Sequence, residues 1–201
     1  MFILQTPGRA ETKVKNSRFL AEVFEVSSPE EAKNAWRYRK ETYDNGGHIV
    51  YAFAIGAQQN ILGCSDDGEP SGTAGKPVLA VLKGSLLTNA MITVARWFGG
   101  TKLGTGGLVH AYGDAAKAAL ENAVFTELIP MTAVNIIMPY QLYNSFISKS
   151  APLGFTVTGE EFSANVTLEG KIKSELFVQL EQLTRELGNG VIRCIAAGKA
   201  D

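Results

Sequence analysis

Two stretches of this chain concentrate glycine, and each runs directly into a segment that reads as a helix. The first is GCSDDGEPSGTAGKP, residues 63–77; the second is RWFGGTKLGTGG, residues 96–107. Glycine at this density lets the backbone take up positive φ and come close to a ligand or to another loop. A helix start adds free N–H groups and the positive end of a dipole, which together favour anions. The pattern therefore constrains the chain to strand–glycine loop–helix units that converge on one surface, running from Ser65 to Tyr112.

The segments around these loops carry ordinary signals. Residues 19–26 (FLAEVFEV) read as a strand. Ser28, Pro29 and Glu31 then form a helix start with a capping box, Ser28 capping the backbone donors of Glu30 or Glu31. Ala32, Ala35, Trp36 and Tyr43 give that helix an apolar stripe, and Asn45-Gly46-Gly47 stops it. Residues 49–55 (IVYAFAI) are almost continuously apolar, as in a strand buried on both faces. Gln58-Gln59-Asn60 makes a turn into Ile61-Leu62-Gly63. A short buried helix is predicted over 77–82, a strand over 91–98, and an alanine-rich helix over 108–122. Ala115, Ala118, Ala119 and Ala123 would let this last helix pack closely on a sheet. The pattern resets at Pro130, which sets a domain boundary there: 1–130 and 131–201. Beyond it come a strand (134–138), a helix (140–151), two strands (155–159 and 162–168), a helix (172–187) and a strand (191–196). The order βαββαβ is the ferredoxin-like plan, so the fold class is α+β.

Composition excludes several function classes. The 201 residues are 45% hydrophobic and 19% charged, a globular composition with room for a real core. The formal net charge of -1 argues against holding duplex DNA by phosphate neutralisation, without excluding a local basic patch. The residues at the N-terminus (MFILQTPGRAETKVK) make too short an apolar stretch for a signal-peptide core, and no run is long enough to span a membrane. Cys64 and Cys194 are the only cysteines and form no CxxC pattern, against a zinc site or a disulfide framework. The expectation is a cytoplasmic protein with no cofactor and no metal.

The nucleotide motifs fail letter by letter. A Walker A loop ending at Gly75-Lys76 would need glycine at 70 and Ser or Thr at 77, and both are proline. A dinucleotide fingerprint starting at Gly104 would need a small residue where Val109 stands. What remains specific is charge: Asp66, Asp67 and Glu69 from one loop, Lys76, Arg96 and Lys102 around them. Three readings stay open. The acids can pair with Arg96 and Lys102 and pin the loops together. The cations and helix-start amides can hold an anionic or peptide ligand. The carboxylates can serve a hydrolase or transferase, with or without Mg²⁺. His48 precedes a buried strand and reads as a packing or hydrogen-bonding residue. Cys64, beside two aspartates, should have a raised pKa and low reactivity. Of Trp97 and Phe98, strand alternation leaves at most one free for stacking.

SDDGEP (65–70), GTAG (72–75) and RWFGGTKLGTGGLV (96–109) closely resemble the signature of the IMPACT family, in its bacterial YigZ-type form. Ser17-Arg18-Phe19 and His48 also match the family's N-terminal pattern, and the resemblance covers the whole length. It implies an N-terminal domain with the fold of the second domain of small-subunit ribosomal protein five. The C-terminal domain it implies is ferredoxin-like, similar to the fifth domain of elongation factor G. Eukaryotic relatives act as translation regulators, so the resemblance implies a non-enzymatic binding module associated with translation. Its partner would be RNA, the ribosome or a regulatory protein, with no membrane and no duplex DNA. No catalytic residues come with the family. The expected binding surface comprises Asp66, Asp67, Glu69, Thr73, Lys76, Arg96, Lys102, Gly106, Gly107 and His48. The chain departs from the family pattern at His110, where arginine is common, at Ala95, and at Ile49-Val50.

Overall fold

The computed structural model describes residues 1–43 and 47–197. Asn45 and Gly46, expected to stop the first helix, lie outside the described residues. The chain divides into two compact units, Met1–Leu128 and Ile129–Asp201.

The first unit is built on a five-stranded sheet of order β2-β3-β6-β4-β5, formed by β2 (Gly8–Val14), β3 (Ser17–Glu25), β4 (His48–Ile55), β5 (Ile61–Ser65) and β6 (Ala90–Trp97). Every neighbouring pair is antiparallel. Antiparallel sheets commonly leave one face in water, but here helices cover both. One face takes α2 (Gly75–Gly84) and α3 (Gly104–Glu121), packed on Phe19, Ala21, Val23, Val50, Ala52, Ile92 and Val94. The other takes α1 (Pro29–Thr42), whose Ala32 and Trp36 pack over Met91, Ile55, Ile49 and Ala95. Successive strand residues point to opposite faces, so this double cover explains why β4 and β6 are apolar nearly throughout.

The first helix starts as expected at its N-cap but not in its return bond. The Ser28 hydroxyl accepts from the Glu31 N–H at 3.1 Å, with Pro29 at the first helical position. The Glu31 carboxylate instead accepts from the N–H and hydroxyl of Ser27, both at 2.7 Å, so its partner is one residue earlier than in a capping box. The third helix also begins earlier than its alanine pattern predicts: Gly104 to Gly107 form its first turn rather than a loop. The N-terminal residues, which carry no clear strand signal of their own, form two strands. β1 (Phe2–Thr6) pairs with β7 (Val124–Glu127) in a separate two-stranded sheet, and after Pro7 the chain enters β2. A Cβ on Gly8 would stand 2.2 Å from the Ala119 carbonyl oxygen, so glycine here and alanine there let β2 and α3 approach.

The second unit has the order β8 (Met131–Met138), α4 (Tyr143–Ser150), β9 (Thr156–Phe162), β10 (Val166–Lys173), α5 (Phe177–Gly188), β11 (Arg193–Ala196), with sheet order β11-β8-β10-β9, all antiparallel. Its core is Val134, Ile136, Met138, Val166, Leu168 and Ile172 from the sheet, closed by Phe146 and Leu180 from the helices. Both boundaries of β10 differ from the sequence expectation. The β9–β10 turn lies at 163–165, where the Ser163 N–H donates to the Asn165 carbonyl at 3.0 Å, so β10 begins four residues later than expected. Gly170 lies inside β10 rather than ending it. A Cβ there would stand 2.3 Å from the Phe155 ring, which occupies the space glycine leaves. Alternation therefore carries through to Ile172, a buried strand residue that sequence periodicity assigns to the next helix.

Candidate functional site

The two glycine loops lie at one end of the first unit's sheet, after β5 and after β6. Each of the three acids in the first loop has a separate internal partner. The Asp66 carboxylate accepts from the backbone N–H groups of Gly72 (2.8 Å), Ala74 (3.1 Å) and Gly75 (2.8 Å). Ala74 and Gly75 stand at the start of α2, so the helix end is already occupied by a carboxylate from the same chain. Burial alone would raise the Asp66 carboxyl; the amides of Gly72, Gly75 and Ala74 and the charge of Lys76 outweigh it and hold the group below its ordinary value. Gly75 has to be glycine for this turn, because a Cβ would stand 2.8 Å from the Ser65 backbone.

Asp67 sits at φ +43, in the left-handed region. Its carboxylate accepts from the Ile49 N–H at 2.6 Å and pairs with the Lys40 ammonium at 2.7 Å, so its cation comes from α1 and not from the second loop. The Asp67 carbonyl accepts from His48 Nδ1 at 2.7 Å. A carbonyl can only accept, which fixes the proton on Nδ1. His48 is thereby a strut between β4 and the loop. Thr73 is buried and donates its hydroxyl to the Pro70 carbonyl at 2.6 Å.

Glu69 is the acid that reaches the second loop. It is 8% exposed, and its Oε1 accepts from Arg96 Nη1 at 2.6 Å and from the Tyr112 hydroxyl at 2.7 Å. Arg96 is 7% exposed and also donates weakly to the Ser17 hydroxyl, at 3.5 Å; its Nε–H is buried without a partner among the described residues. Burial and the hydrogen bond to Glu69 push the Tyr112 hydroxyl far above its ordinary pKa. Phe19 meets the Tyr112 ring edge-on at 5.2 Å and lies 5.6 Å from the guanidinium. Tyr112, Ser17 and Lys40 complete this charge network. None is among the expected binding residues: Ser17 enters the sequence reading only through the family pattern and Tyr112 only as the end of the surface, because each comes from a different element and only the fold brings them in.

The remaining cations differ. Lys76 and Lys102 are exposed and, among the described residues, make no ion pair. Gly106 and Gly107 lie in the first turn of α3, which has no side-chain cap and no acidic residue in that turn. Strand alternation separates the two aromatics. Trp97 lies on the α1 side, with the Arg18 guanidinium 3.9 Å above it and Tyr43 at 6.0 Å, whereas Phe98 is 59% exposed. Cys64 lies on the edge strand β5; burial, then Asp66, raise its thiol above the ordinary value, against Lys76.

Between the loops opens a cleft of about 380 Å³. Glu69, Arg96 and Leu108 line it deep down, and Phe98, Lys102 and Thr105 stand around its mouth. Of the expected site residues, the structure brings Glu69, Arg96 and Lys102 to this cleft. It turns Asp66, Asp67, Thr73 and His48 to internal bonds. Among the described residues, no three His, Cys, Asp or Glu side chains cluster so as to hold a metal ion. No helix among them is long and apolar enough to cross a membrane.

Residues 15–120, which include both loops, match the model of the Impact N-terminal domain. The chain is 32% identical over 189 residues to the IMPACT family member YvyE of Bacillus subtilis, covering 94% of this chain and 87% of that protein. It is 30% identical over 112 residues to Protein IMPACT of Mus musculus, covering 53% of this chain and 35% of the mouse protein. A solved structure described as that of a hypothetical protein superimposes with a TM-score of 0.70 at 28% identity, covering 99% of this chain and 98% of its own. The likeness to YvyE runs through both units, and the family model spans both loops: the chain belongs to the IMPACT family.

Proposed function

We propose that this chain is a non-enzymatic binding module associated with translation, which contacts RNA, the ribosome or a regulatory protein through the Ser65–Tyr112 surface. One observation carries the reading. The carboxylates that a hydrolase would need are engaged within the fold, Asp66 on helix-start amides and Asp67 on Lys40 and Ile49. What faces the cleft is a set of donors and an exposed ring: Arg96, Lys102, the uncapped start of α3 and Phe98. Such a surface recognises and holds; the carboxylate that lines it, Glu69, is already engaged by Arg96 and the Tyr112 hydroxyl, which argues against its use as a nucleophile or general base.

The association with translation rests on family membership, which includes eukaryotic Protein IMPACT relatives. Fold analogy points the same way. We read the first unit as the fold of the second domain of ribosomal protein five. The second we read as ferredoxin-like, similar to the fifth domain of elongation factor G, on the support of its βαββαβ order and its 4-1-3-2 antiparallel sheet. The domain border is placed near Pro130. A cytoplasmic location accompanies the reading and fits two free thiols, Cys64 and Cys194.

The test is co-sedimentation with ribosomes from lysate at graded salt. Wild type should sediment with ribosomes at low salt and release as salt rises, and Lys102→Ala and Arg96→Ala should release earlier. Both variants sedimenting like wild type would remove the proposal.

A further inference from the structure

The two glycine loops end in two helix starts, and the chain treats them differently. At α2 it supplies its own anion, the Asp66 carboxylate, to three backbone donors. At α3, an 18-residue helix, it supplies none: among the described residues no side chain caps the start, no acid stands in the first turn, and Gly104, Thr105 and Gly106 are exposed. A second observation points at the same spot. Arg96, more than nine-tenths buried, lines the cleft beneath this helix start and keeps an Nε–H without a partner. A buried donor left unmade is expensive, so a ligand whose acceptor reached it as the cleft adjusted would relieve that cost.

Charge and shape narrow the ligand. Glu69 neutralises Arg96, so the net positive potential comes from Lys102 and the helix dipole, which adds roughly half a charge. That suits a monoanion better than a dianion. The cleft, about 380 Å³, lies near the lower end of the roughly 300–1,000 Å³ common for small-ligand sites, so it admits one nucleotide-sized unit and no helix. Pro70, Leu103 and Leu108 give it apolar walls, and Phe98 offers an exposed ring at its rim. A ring that flat suits an unstacked base; a duplex has no free base face to offer it.

We infer that the cleft binds single-stranded nucleic acid one nucleotide at a time. A phosphodiester oxygen sits on the α3 amides and Lys102, within reach of Arg96, and the adjoining base stacks on Phe98. The inference deepens the binding-surface reading and rests on it for the identity of the surface.

The test is titration of the full ¹⁵N-labelled chain with an oligouridylate octamer, with inorganic phosphate, and with a short peptide bearing a free C-terminal carboxylate. The octamer should move the amides of residues 102–108 and Phe98, with inorganic phosphate competing weakly. Lys102→Ala should lower the salt dependence of octamer binding by about one unit of log–log slope. Phe98→Ala should weaken binding about tenfold. Thr105→Asp carries the sharpest outcome. It supplies α3 with the carboxylate it lacks, so it should raise Tm while abolishing the octamer shifts, a pairing that misfolding cannot produce. Unmoved 102–108 amides at millimolar octamer overturn the inference, as does movement by the peptide alone. Ribosome co-sedimentation of the same variants keeps the two proposals apart. Loss of ribosome binding in Lys102→Ala without octamer shifts sinks the nucleotide cleft and leaves the binding module standing. Octamer shifts with unchanged ribosome binding do the reverse.

Discussion

Asp66 turns a helix end that would attract an external anion into an internal joint. Its carboxyl is held below the ordinary value, so protonation favours the unfolded chain. The stabilisation is complete above the unfolded pKa, about 4, and is lost as pH falls through the lower folded value. Asp66→Asn should cost about 2 kcal/mol at neutral pH, the range for hydrogen bonds to a charged acceptor. Thermal melts of both proteins should differ at pH 7 and draw progressively together as the pH falls below about 4. Glu69 behaves differently because its partner is buried. Removing it in Glu69→Ala strands the Arg96 charge and should cost about 3–5 kcal/mol, read as a lower urea midpoint. Tyr112→Phe removes one hydrogen bond but no charge and should cost about 1–2 kcal/mol.

At the scale of elements, glycine positions decide which pieces can touch. Gly170 lets the Phe155 ring cross β10, and a Cβ would meet both that ring and the Thr156 carbonyl, at 2.3 and 2.8 Å. Gly170→Ala should destabilise the second unit by about 1–3 kcal/mol, measurable by denaturant titration. The helix start at Ser28 predicts a smaller effect: Ser28→Ala should cost about 1 kcal/mol. The central strands were legible in the sequence because double-faced burial writes itself as a nearly continuous apolar run, at 49–55 and, broken only by Thr93, at 90–95. The N-terminal strands were not legible. Residues 8–14 alternate polar and small residues on an edge strand, and β1 exists only because β7, more than a hundred residues later, returns to pair with it. The displaced β10 has a similar cause, since Gly170 reads as a terminator until Phe155 is seen to fill its place.

At the scale of the whole chain, each unit has a core of its own. The buried clusters of Met1–Leu128 and of Ile129–Asp201 share no residue. A chain ending at residue 128 should therefore fold cooperatively by circular dichroism and keep the cleft.

The sequence by itself determined the α+β class, the family signature, the position of the two glycine loops and the failure of both nucleotide motifs, because these depend on residue type and local spacing. Only the tertiary structure decided which charges are spent and which remain available. Asp66, Asp67 and Glu69 are near-identical letters four positions wide, yet one caps α2, one ties down Lys40, and one is buried under Tyr112. Their partners come from elements 6 to 43 residues away in the chain. A carboxylate's role is set by the donors that folding brings to it, and local sequence does not encode that geometry.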